Sequence, residues 1–137
     1  MEFKLVGDKV VETPELMYLL KEVNKKFNKF PYISDVSQHD QTDYWTARIE
    51  LFEAGDCDDF ALGKRKALIE EGVPYECLKP TICKVDEEGH LVLICRTTNN
   101  DYVLDNLRQT VVPVKRLDDY KWLYSLNPVE KQWEKLF

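Results

Sequence analysis

A chain of 137 residues, 44% hydrophobic and 12% aromatic, has enough apolar material for one domain with its own core and too much for a disordered segment. A net charge of −6 with no basic run argues against a nucleic-acid partner, and no stretch nears the roughly 18 apolar residues of a membrane span. Met1-Glu2-Phe3-Lys4-Leu5 leads into charged residues without the apolar core of a secretory signal, so the expectation is a cytoplasmic protein whose cysteines stay reduced.

The first dozen residues stay unassigned. Thr13-Pro14 then marks a helix start, with Thr13 as cap and Pro14 at the first helical position. Leu16, Leu19, Leu20, Val23 and Phe27 follow at helical spacing and form one buried stripe. Pro31 closes that region, because the residue before a proline resists the helical conformation. Tyr32 to Asp43 reads as a polar loop, followed by Tyr44-Trp45 and a short helix from Ala47 to Glu53.

A central helix runs from Asp56 to about Glu71. Cys57, Phe60, Ala61, Ala67 and Leu68 lie mostly along one side of it, while Lys64, Arg65, Glu70 and Glu71 face out. Gly72-Val73-Pro74 is its stop signal. Beyond it the pattern turns to strands: Thr81 to Val85, Leu91 to Cys95, Tyr102 to Leu104, a short one at Val111 to Val114, and Tyr124 to Leu126. Leu91 to Cys95 is apolar throughout, as a strand covered on both faces would be. Glu87-Glu88-Gly89 and Thr97 to Asp101 read as turns, and Trp133 anchors the tail. Helices first and an antiparallel sheet afterwards predict an α+β fold in a single domain.

Gly55-Asp56-Cys57-Asp58-Asp59 opens the central helix, where unpaired backbone N–H groups favour negative charge and lower a thiol pKa. The three flanking carboxylates oppose the thiolate, so the pentapeptide by itself also fits a capping Asp56 and a structural Cys57. Cys77, Cys83 and Cys95 read as packing residues, since no C-x-x-C pair or histidine at ligand spacing supports zinc. His90 heads the most apolar strand and Asp105 ends the next. A thiol needs an adjacent base, and the base needs a third group to hold its tautomer. Direct opposition of His90 and Asp105 requires a turn centred between Thr97 and Thr98, whereas Asn99 and Asn100 pull that centre later. A one-residue register shift would put Asp105 on the wrong face.

Gly55 to Ala61, Gly72-Val73-Pro74, Gly89-His90-Leu91-Val92-Leu93 and Val103 to Leu107 together resemble the bacterial transglutaminase-like cysteine proteinases. Val23 to Asn28, Tyr32 to Asp35, Asp43-Tyr44-Trp45 and Tyr124 to Asn127 extend the resemblance over about Leu16 to Trp133. It implies a papain-like fold in which Cys57 is the nucleophile, His90 the general base and Asp105 the residue that orients the imidazole. It also implies a protein or peptide substrate and a thioester intermediate, with Trp45 shaping the oxyanion contact beside the Cys57 N–H. Calcium-binding members of that family hold the ion through acidic residues flanking the cysteine, which here are Asp56 and Asp58. The family commonly has glutamate where this chain has Asp58. The expectation is a cysteine peptidase, bacterial or phage-encoded, with Ca2+ as its cofactor. Amide transfer or deamidation by the same three residues, and a non-catalytic interaction domain of the same fold, are the competing readings.

Overall fold

Pro14 and Thr13 act as the sequence predicts: helix α1 spans Pro14–Asn28, and the Leu16 N–H donates to Thr13 Oγ1 at 3.1 Å. Leu16, Leu20 and Val23 are buried along its inner face, with Leu19 and Phe27 half-buried beside them. The computed structural model describes residues 3–28, 55–105, 107–108 and 110–135; in the second helix, side chains are described from Phe60 onward. The expected loop from Tyr32 to Asp43, Trp45 and the expected helix from Ala47 to Glu53 lie outside the described residues.

Ahead of α1, the stretch left unassigned forms a two-stranded hairpin, β1 (Leu5–Val6) and β2 (Lys9–Val10), turning at Gly7 with φ +65°. Helix α2 spans Gly55–Glu70. It ends as the Gly-Val-Pro signal predicts. Gly72 takes φ +101°, its N–H bonds to Ile69 O at 3.0 Å, and the Val73 N–H reaches back to Leu68 O at 3.0 Å. Those two bonds satisfy carbonyls the helix leaves open, and buried Val73 meets buried Leu68.

A 3-10 turn (Tyr75–Cys77) feeds a six-stranded antiparallel sheet made of β3 (Leu78–Val85), β4 (Glu88–Arg96), β5 (Asp101–Leu104), β6 (Val112–Pro113), β7 (Lys121–Asn127) and β8 (Gln132–Lys135). Spatial order is β6-β5-β4-β3-β7-β8, so β3 and β4 are central. Alternation along β4 sends Leu91, Leu93 and Cys95 into the cluster shared with α1 and α2. Val92 and Ile94 point to a second cluster with Cys83, Val103, Leu117 and Tyr120. Both faces are therefore covered, which is why β4 reads as a continuous apolar run. The fold is α+β, and among the described residues two helices pack on the antiparallel sheet.

Four details depart from the sequence-based expectation. The β3–β4 turn sits at Asp86-Glu87, one residue earlier than expected, because Val85 already pairs with Glu88. Val114 begins a second 3-10 turn (Val114–Arg116) instead of extending β6. Lys64, expected at the surface, is 0% exposed: its ammonium donates to Asn24 Oδ1 of α1 at 2.7 Å and lies 5.9 Å from the Phe60 ring centroid. Arg65 is also drawn inward, its Nε donating to Leu78 O at 3.3 Å. Trp133 lies on β8 opposite Leu126 and packs against the helix-side core.

Candidate active site

Cys57 is the third residue of α2 and so lies in its first turn, where backbone N–H groups have no carbonyl four residues back within the helix. The side chains of Asp56, Cys57 and Asp58 lie outside the described residues. Cys77, Cys83 and Cys95 are free thiols, all fully buried. Cys77 ends the 3-10 turn ahead of β3, its Sγ donating to Pro74 O.

His90 is the third residue of β4, directly opposite Cys83 of β3, and only 7% exposed. Asp105 immediately follows β5 and is 1% exposed. Their side chains meet: His90 Nε2 donates to Asp105 Oδ1 at 2.6 Å. The register explains how. Pairs from Leu93 with Leu104 to Arg96 with Asp101 centre the β4–β5 turn between Thr98 and Asn99. Asn99 and Asn100 thus pull the turn later, as their left-handed tolerance suggests, but the register moves by two residues and not by one. An even shift preserves the face, so imidazole and carboxylate meet as diagonal neighbours rather than directly across the ladder. Thr97 fixes that turn, its Oγ1 accepting the N–H groups of Asn99 and Asn100 at 3.2 and 3.0 Å.

Asp105 is surrounded by donors. Its Oδ1 also accepts the Leu107 N–H at 3.0 Å, and its Oδ2 accepts the Tyr120 hydroxyl. Burial acts to raise the Asp105 pKa. The His90 ring, the Tyr120 hydroxyl and the Leu107 N–H outweigh it and hold the carboxyl below its ordinary range. An anionic acceptor facing Nε2 fixes the proton on that nitrogen and gives the lone pair to Nδ1.

Helix residues tether the segment that carries Asp105. Asn28 Nδ2 donates to the carbonyls of Asp105 and Arg108 at 2.9 and 2.8 Å, and Asn24 Nδ2 donates to Arg108 O at 3.1 Å. Lys64 completes the chain of contacts from α2 through Asn24. Burial lowers its pKa to about 8, with the Asp105 charge acting in the opposite sense. Sequence reasoning missed Tyr120, Asn24, Asn28 and Lys64. Asn24 and Asn28 did leave a trace: they are spaced i, i+4 directly beside the apolar stripe, where a purely solvated pair of asparagines is out of place. Tyr120 left none, being one of seven tyrosines.

Among the described residues, no group of three His, Cys, Asp or Glu side chains could hold a metal ion. Asp56 and Asp58 stand two residues apart in the first turn of α2, and carboxylate oxygens are the donor type calcium takes.

Residues 4–136 match the profile of the family described as bacterial transglutaminase-like cysteine proteinase, BTLCP. The structure is similar to that of Legionella pneumophila LapG in its calcium-bound form, with a TM-score of 0.66 and 30% identity over 86% of this chain and 68% of that one. It is similar also to the EGTA-treated form of LapG, with a TM-score of 0.65 and 27% identity over 92% of this chain and 74% of that one. No curated protein matches the chain.

Proposed function

The chain belongs to the bacterial transglutaminase-like cysteine proteinases, and from that membership we propose that it hydrolyses a protein amide bond with Cys57 as nucleophile, His90 as general base and Asp105 as the group that orients the imidazole. The observation that carries this reading is the His90–Asp105 bond at 2.6 Å, made within a sheet that faces a cysteine-bearing helix. In the proposed reaction Nδ1 of His90 takes the Cys57 proton and the thiolate attacks the amide carbon. The carbonyl π electrons move to oxygen, and that oxyanion is received by the Cys57 N–H, with Trp45 assigned the shaping of the second contact. Collapse breaks the C–N bond, and the imidazolium gives its proton to the leaving amine. Water then attacks the thioester as His90 takes its proton. The C–S bond breaks, and the acid and the thiol are released.

Asp56 and Asp58 would hold calcium at the same helix start. The calcium-bound form of LapG supports this, as does the oxygen-only donor set. When bound, the cation offsets the like charge that these carboxylates place beside the Cys57 thiolate.

Incubating host-cell proteins with the wild type and with Cys57→Ala, then sequencing new N-termini, tests the proposal. New termini in the wild-type sample alone are the expected result. A mass gain of about one dalton at glutamine without chain cleavage would replace hydrolysis of the main chain with deamidation. Identical products from both proteins would end the catalytic reading.

A further inference from the structure

We propose that Tyr120 is a positioning residue for the candidate active site, donating its hydroxyl proton to Asp105 Oδ2 so that the carboxylate is locked with Oδ1 toward His90. The contact itself is direct: the hydroxyl bonds to Oδ2, while Oδ1 takes the His90 Nε2–H and the Leu107 N–H. A carboxylate held at one oxygen can still swing about its Cβ–Cγ bond; one held at both cannot. Tyr120 also borders the imidazole, the two rings meeting edge-on with centroids 6.5 Å apart and planes at 75°.

The phenol is itself fixed from other sides. The Trp122 ring lies 5.5 Å away at a tilt of 38°, and the Arg108 guanidinium sits 5.8 Å from the Tyr120 centroid. Tyr120 is buried and belongs to the second apolar cluster, so its ring is anchored apart from its hydroxyl. Burial, reinforced by the neighbouring Asp105 charge, pushes the phenol pKa far up, so it stays a proton donor across the physiological range. Among the described residues, the other ionisable groups near the pair are Lys64 from α2, Cys83 from β3, Arg108 after β5 and Asp119 beside Tyr120.

The chemical consequence is a shared charge. Each donor on Asp105 draws negative charge from the oxygen that stabilises the His90 imidazolium. Removing the Tyr120 proton leaves more of that charge for His90 and raises its pKa. Strengthening the donor lowers it. A tyrosine that merely filled space would produce neither.

The peptidase reading enters only in naming the pair as a triad, and the test keeps the two separate. His90 is titrated by 1H–15N NMR in the wild type, in Tyr120→Phe and in a protein with 3-fluorotyrosine at position 120. His39, the other of the two histidines, identifies the remaining signal. The expected result is a His90 pKa raised by about half a unit or more in Tyr120→Phe and lowered with the fluorinated ring. Unchanged His90 titration in both proteins, or shifts of the same sign, would overturn the proposal. Should Tyr120→Phe fail to fold, the fluorinated protein decides, since it keeps the ring and the hydroxyl. Alkylation of Cys57 by iodoacetamide in the same wild-type samples reports on the peptidase reading independently. An inert Cys57 with a shifted His90 would leave Tyr120 in its role and remove the nucleophile.

Discussion

A thiol in the first turn of a helix feels the partial positive charge of unpaired N–H groups, whereas a thiol under a sheet feels only its desolvation. Cys57 has the first environment, and Cys77, Cys83 and Cys95 have the second. At Cys95 the neighbouring Cys77 thiol and burial both push the pKa well up. Iodoacetamide at neutral pH should therefore modify Cys57 in the folded protein before any of the other three, as read by peptide mass mapping; equal labelling of all four would contradict the assignment. The proposed base and its proposed orienting carboxylate differ in a similar way. His90→Ala removes proton transfer altogether, while Asp105→Asn leaves a side chain that can hold the wrong tautomer. Both changes should lower kcat by about a thousandfold or more, with the histidine change at least as severe. Circular dichroism should show the sheet intact in both.

At the scale of elements, the start of α1 and the C-terminal end of α2 were written locally, in Thr13-Pro14 and Gly72-Val73-Pro74, and the chain folds there as those residues dictate. The β3–β4 hairpin obeys a less visible rule. Its two-residue turn places Asp86 and Glu87 at φ +52° and +67°, a conformation that costs an ordinary side chain about 1–2 kcal/mol. Neither residue is a glycine, so the more glycine-like stretch that follows attracted the expected turn. Glu87→Gly should accordingly stabilise the protein by about 1 kcal/mol, measured as a rise in the denaturant midpoint at unchanged slope. A fall in the midpoint would mean that the turn is held by contacts of the glutamate itself. The candidate site was legible for the same local reason: His90 and Asp105 are each the polar end of an apolar run. Their partners were not. Tyr120, Asn24 and Lys64 gain meaning only when elements distant in sequence are brought together, and spacing along one helix could not show that the outward-reading Lys64 faces α1.

Across the whole molecule, two titrations report on how the parts are held. Burial lowers the Lys64 pKa to about 8 from the ordinary 10.5. Below about 8 the amine is charged in the folded and unfolded states alike, and the folded state bears the cost of burying it. From about 8 to 10.5 the unfolded chain binds the extra proton, so this site's contribution to stability rises with pH across that window. Chemical denaturation of the wild type and of Lys64→Met at pH 7 and pH 10 should show the difference between them moving in favour of the wild type at the higher pH. The second titration is with calcium. If Asp56 and Asp58 hold the ion, millimolar calcium raises the melting temperature by mass action and EGTA reverses it, whereas Asp58→Ala abolishes both responses. Magnesium substitutes poorly, since it demands a tighter octahedron. No heat of binding in a calorimetric titration would remove the metal from the mechanism.

Asn28 and the carbonyl of Asp105 that it holds are 77 residues apart, and Tyr120 lies 15 residues beyond Asp105. During synthesis the helix emerges early and waits. The carboxylate it will hold comes much later, and the hydroxyl that bonds to that carboxylate later still. Long-range closures of this kind are the slow and final events of folding. A nascent or prematurely terminated chain can therefore display the Cys57 helix without an oriented base beside it. On the proposed mechanism, cleaving power arrives last, when the sheet has closed, and chain order alone keeps a ribosome-bound intermediate from attacking its neighbours.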